Sequence, residues 1–71
     1  MRNHESTARL FEYAMQELHL NPSELSRRLG RSTSSVSRYV HGQTAAPSTV
    51  LKELAQLCGF ATLRAFYHAA L

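Results

Sequence analysis

Two short apolar repeats separated by one glycine constrain this chain more than any other feature. Leu25 and Leu29 stand four apart, Gly30 follows at once, and Ser32 then opens a second repeat carried by Val36 and Val40. Residues four apart share a face of an α-helix. Glycine just past the last apolar residue is where a left-handed helix end costs least. A helix that ends at Gly30 and another that Ser32 caps leave room only for a tight turn between them. The start of the first helix is equally well marked. Asn21 caps it, Pro22 suits the first helical position, and Glu24 sits where a capping box needs a carboxylate. Ser26, between the two leucines, is small enough to let another helix approach closely. Residues 21–42 therefore predict a helix, a turn and a second helix over about 33–41, stopped by Gly42.

The flanking sequence adds three more helices. Leu10, Phe11, Ala14, Met15 and Leu18 recur at spacings of three and four, which predicts an amphipathic helix from Ser6 or Thr7 to about His19 with Glu12 and Glu17 toward water. Gly42 to Pro47 reads as a loop of small and polar residues. Ser48 is expected to cap a fourth helix with Val50, Leu51, Leu54, Leu57 and Cys58 on its apolar face, ending at Gly59. Thr62 is expected to cap a fifth, with Leu63, Phe66, Tyr67, Ala70 and Leu71. That last helix carries more apolar surface than a core of this size is expected to absorb, and an exposed apolar patch on a small protein marks an interaction site. The expected architecture is all-α, a compact five-helix bundle: residues 1–5 as a flexible arm and 6–71 as one domain.

The second helix of the central pair has an unusual outer face. With Val36 and Val40 turned inward, Thr33, Ser34, Ser37, Arg38 and His41 lie outward or on the flanks. A helix of that length is a rod about 13 Å long, matched to a DNA major groove about 12 Å wide. Net charge is only +3, but its distribution is uneven. Between Glu24 and Glu53 stand Arg27, Arg28, Arg31, Arg38 and Lys52 with no acid among them. A basic stretch coinciding with the two-helix motif is the electrostatic footprint of a DNA-binding protein.

The run Leu25-Ser26, Leu29-Gly30, Ser32, Val36-Ser37-Arg38-Tyr39 and Gly42, followed by Pro47 and Leu57-Cys58-Gly59-Phe60, resembles the helix-turn-helix domain of Cro/CI-type phage repressors, the xenobiotic-response-element-like family. The resemblance covers roughly residues 8 to 66. It implies a lambda-repressor-like fold with the helix-turn-helix at its second and third helices, and a transcriptional regulator of double-stranded DNA, most simply a repressor from a phage or mobile element. Base contacts are then expected from Thr33, Ser34, Ser37 and Arg38, with Arg38 bidentate to guanine O6 and N7. Phosphate contacts are expected from Asn21, Ser23, Arg31, Ser35, His41, Gln43 and Thr44, and from main-chain N–H groups of the loop. Arg2 is a further phosphate candidate in the arm. One such helix reads too few base pairs to specify a site, so a homodimer on an inverted repeat is expected, joined through Leu63, Phe66, Tyr67 and Leu71 of the 62–71 helix.

The sequence departs from the family pattern in places. Pro22 stands where a glutamine often clamps a phosphate. Ala45 and Ala46 stand where basic residues are frequent. Met15 and Val40 occupy positions where an arginine and a glutamate often form a buried ion pair, and an apolar pair there is expected to be in contact.

Other functions find little support. No paired carboxylates, Ser-His-Asp arrangement, phosphate loop or metal-ligand spacing occurs, so neither an enzyme nor a cofactor or small-molecule ligand is expected. Cys58 has no partner for an internal disulfide and is expected to be a plain buried thiol. No apolar run approaches membrane-spanning length, which points to a cytoplasmic protein associated with the nucleoid when bound. The alternative function is an antitoxin that binds a toxin partner as well as its own operator.

Overall fold

Helix α1 (Glu5–Leu18) buries Ala8, Leu10, Phe11 and Ala14 along one stripe; of the remaining helices the third, fourth and fifth pack against α1, and the second packs on the third and fourth. They are α2 (Pro22–Leu29), α3 (Thr33–Val40), α4 (Ser48–Leu57) and α5 (Leu63–Ala70). The computed structural model describes residues 3–71, within which all regular structure is helical. The five helices form a globule with a Cα radius of gyration of 10.7 Å. Its core unites Leu10, Phe11, Leu25, Leu29, Val36, Val50, Leu51, Leu54 and Phe66, so each helix contributes to one cluster. Burial of that apolar surface, at roughly 25 cal/mol per Å², is what holds helices this short in place.

The local signals around α2 and α3 act as the sequence implies. The Glu24 N–H donates to Asn21 Oδ1 at 2.8 Å while Glu24 Oε1 accepts from the Asn21 N–H at 3.0 Å, a complete capping box with Pro22 just inside it. Gly30 ends α2 at φ +65°, a left-handed conformation that costs a residue with a Cβ about 1–2 kcal/mol. The Arg31 N–H then bonds back to the Ser26 carbonyl at 3.0 Å, closing the turn. Ser32 caps α3 by accepting the Ser35 N–H at 3.1 Å, and Thr62 caps α5 by accepting the Ala65 N–H at 3.1 Å.

Four expectations need correction. Helix α1 begins before the expected Ser6 or Thr7. Glu5 already belongs to α1, and the His4 N–H donates to the Gly42 carbonyl at 2.9 Å, which ties the start of the chain to the end of α3; Met1 and Arg2 lie outside the described residues. Pro47, not Ser48, is the N-cap of α4. Its carbonyl accepts from Leu51 at 3.1 Å while Ser48 is already helical and makes no capping bond. His41 falls just past α3 as its C-cap. The apolar surplus of α5 is largely absorbed, because Phe66 is fully buried and packs against Phe60 (ring centroids 5.6 Å apart) and Tyr13 (6.1 Å). Leu71 alone among the large apolar residues described is exposed, at 50%.

Candidate nucleic-acid interface

α3 is fixed from beneath by Val36, which has no exposed surface, and by Tyr39, whose ring lies 5.3 Å from that of Phe11. Val40 is only half-buried, as is Met15. Both pack against the core, so neither stands free in solvent. The anchors at 36, 39 and 40 follow the helical period, and Tyr39 joins Val36 and Val40, the two residues expected to form this inward face. This aromatic was legible in the sequence, since three-residue spacing from Val36 puts it on the same face.

With that face occupied, Thr33, Ser34 and Arg38 are exposed and Ser35 and Ser37 are half-buried. The Arg38 Nε–H reaches the Ser34 carbonyl at 3.4 Å, laying the side chain along the outer face with both terminal amino groups available to another acceptor. His41 Nδ1 lies 2.7 Å from the Ser37 carbonyl. An oxygen there can only accept, so Nδ1 carries the proton and, in the neutral ring, Nε2 is left as an acceptor. Ser32 donates its hydroxyl proton to Ser35 Oγ at 2.9 Å, so the Ser35 hydroxyl keeps its own proton to donate, which suits a phosphate oxygen.

Around this face the main-chain donors are fewer than the sequence implies. At the start of α2 Pro22 has no N–H and the N–H groups of Asn21 and Glu24 are consumed by the capping box. Asn21 thus keeps only its side-chain amide to offer, and Ser23 its N–H and hydroxyl. In the loop, Gly42 donates to the Tyr39 carbonyl, Gln43 to the Arg38 carbonyl at 2.9 Å, and Ala46 to the Thr7 hydroxyl at 3.4 Å. Thr44 and Ala45 remain, among the described residues, to present backbone N–H groups outward. Gln43 and Thr44 are both exposed, so their side chains still face solvent.

The basic stretch is also less uniform in space than in sequence. Glu53 on α4 meets Arg31 at 3.5 Å, with the two side chains 45% and 40% exposed. Arg27 and Arg28 occupy the last turn of α2, where cations oppose the helix dipole, and both are exposed. The expected interface residues on α5 divide. Phe66 is core and cannot face a partner, Leu63 and Tyr67 are half-buried, and Leu71 joins Arg64, Tyr67 and His68 around a shallow depression. Two residues read from the sequence only as a helix start and a small spacer make unforeseen hydrogen bonds: Thr7, which pins the loop, and Ser26. Ser26 is 2% exposed, and its hydroxyl lies 3.1 Å from that of Thr33.

Cys58 lies half-buried as the C-cap of α4, and burial, aided by the Glu17 carboxylate, pushes its thiol up. Among the described residues no cluster of histidine, cysteine and carboxylates has the makings of a metal site, and no helix is long and apolar enough to cross a membrane. Residues 8–66 match the family model described as a helix-turn-helix domain. Searches of the curated proteins and of the solved structures returned no match.

Proposed function

We propose, from the premise that the chain belongs to the helix-turn-helix domain family, that it is a sequence-specific regulator of transcription that lays α3 in the major groove of duplex DNA. The observation that carries this reading is the outer face of α3. Thr33, Ser34 and Arg38 project from a helix whose other side is locked by Val36 and Tyr39, and no described side chain covers them. Arg38 is the long planar donor suited to guanine O6 and N7, and the hydroxyls supplement it. Ser23, Ser35, Thr44 and Arg31 border that face with donors suited to phosphate oxygens, which set position and not sequence.

A single recognition helix of eight residues reads only a few base pairs, so the working unit is a symmetric dimer on an inverted repeat. Leu71, Tyr67 and Leu63 are the residues proposed to join the subunits. The simplest outcome of such occupancy at a promoter is repression. Selection of bound duplexes from a random pool tests the reading. The expected result is a short motif repeated with dyad symmetry, its halves about one DNA turn (~34 Å) apart. Recovery of unrelated sequences with no shared motif contradicts it.

A further inference from the structure

We propose that buried Ser26 fixes the hydrogen-bonding polarity of Thr33, so that Thr33 meets DNA only as an acceptor and selects a base that presents an amino group while rejecting guanine. This deepens the reading of α3 as the recognition helix and rests on it.

The argument follows one proton. Ser26 has a single hydroxyl hydrogen, and it is donated to the Ser23 carbonyl at 2.6 Å, an acceptor that has no proton to give in return. The Ser26 oxygen also lies 3.1 Å from Thr33 Oγ1. With its own hydrogen already spent, Ser26 can only accept in that second contact, so the hydrogen between the two hydroxyls belongs to Thr33. Ser26 is 2% exposed, which leaves no water to compete for either bond, whereas Thr33 is exposed at the first turn of α3. The chain Thr33 to Ser26 to the Ser23 carbonyl therefore runs in one direction, and the outer side of the Thr33 oxygen holds lone pairs only.

Polarity of this kind discriminates in the major groove. Adenine presents the N6 amino group and cytosine the N4 amino group, and each can donate to a lone pair. Guanine presents O6 and N7, both acceptors, which a hydroxyl without a free hydrogen cannot satisfy. An ordinary exposed threonine rotates its hydroxyl to suit either edge and discriminates little. Ser26 removes that freedom without approaching the DNA, which makes it a positioning residue for specificity. The Ser32–Ser35 pair has the opposite sense and leaves Ser35 a donor, so neighbouring hydroxyls on one helix differ in what they recognise.

The test is selection from a pool of randomised duplexes with the wild type, Thr33→Val, Thr33→Ser and Ser26→Ala, followed by competition binding on the winning sequences and thermal unfolding of each variant. The position whose preference changes with Thr33→Val is the one Thr33 faces. At that position the wild type is expected to favour adenine or cytosine over guanine by about fivefold or more, as the gain of one hydrogen bond implies. Thr33→Ser retains the relay and the preference. Ser26→Ala, a substitution favourable to helix, keeps the fold while the preference against guanine falls to within about twofold and the other positions are unchanged. A wild-type preference for guanine there, or a Ser26→Ala preference identical to the wild type's in a folded protein, overturns the relay while leaving DNA recognition intact. Failure of the wild type to select any duplex overturns the recognition reading itself and this inference with it.

Discussion

Replacing Glu53 by glutamine separates the two consequences of the Arg31–Glu53 contact, its small part in stability and its larger part in holding a cation away from DNA. Two unit charges at the observed 3.5 Å attract by about 1 kcal/mol in water, and both side chains are some two-fifths exposed. After the entropy of ordering two long side chains, the pair contributes between about 0 and 1 kcal/mol. Glu53→Gln should therefore lower the melting temperature by no more than about 8 °C. Its effect on DNA should be opposite in sign. Arg31 no longer has to exchange a carboxylate for a phosphate, and one additional phosphate neutralised steepens the dependence of log affinity on log salt by about 0.9. Between about 200 and about 50 mM salt that slope enlarges the variant's advantage by up to about 3.5-fold. Fluorescence anisotropy with a labelled duplex over a salt series measures both quantities. Glu17→Gln is the control: it changes net charge equally, but its carboxylate holds the Tyr13 hydroxyl at 3.2 Å and no arginine. Unchanged or weaker binding by Glu53→Gln, or an equal gain for Glu17→Gln, would refute the placement of Arg31 among the phosphate-facing cations.

Three further outcomes follow from the packing and the caps. Val36→Ala removes two methyl-sized groups from a fully buried site under α3 and should cost about 2 kcal/mol in urea unfolding, with a loss under about 0.5 kcal/mol arguing that Val36 is not the anchor. His19 ends α1 at φ +55° although it has a side chain, so His19→Gly should stabilise by about 1 kcal/mol, and a destabilised variant would show that its imidazole makes an interaction of its own. The raised Cys58 thiol keeps little thiolate at pH 8, so alkylation by iodoacetamide should be slower than that of glutathione at that pH and should accelerate as pH rises further; rapid labelling at pH 7 would contradict its burial.

The parts of this structure legible in the sequence are those governed by neighbours along the chain. Asn21 with Glu24, Gly30 after Leu29, and Ser32 before α3 act within a turn of themselves, and each does what its chemistry implies. Pro47 and Ser48 mark the limit of that logic. Serine is the better capping residue, but the carbonyl of Pro47 starts the ladder and leaves Ser48 inside it. What was not legible depends on contacts between distant residues. Glu53 reaches Arg31 across 22 positions, and Thr7 takes the Ala46 N–H across 39, so neither pairing follows from periodicity. Phe66 was expected at an interface because α5 alone looks too apolar. Only the meeting of Tyr13, Phe60 and Phe66 shows that the core absorbs it. The direction of the Ser26–Thr33 bond is further still from the sequence, since it requires knowing where one hydrogen has already gone.

Titration of the isotopically labelled protein with its selected duplex, followed by amide and side-chain NMR shifts, addresses the central claim most directly. The largest changes are expected at Thr33, Ser34, Ser35 and Arg38, with a second set at Ser23, Arg31, Thr44 and Ala45, and little at the buried Leu10 and Phe11. Shifts centred on Leu63 to Leu71 at sub-stoichiometric protein dimer, with Thr33 to Arg38 unmoved on saturation, would contradict it.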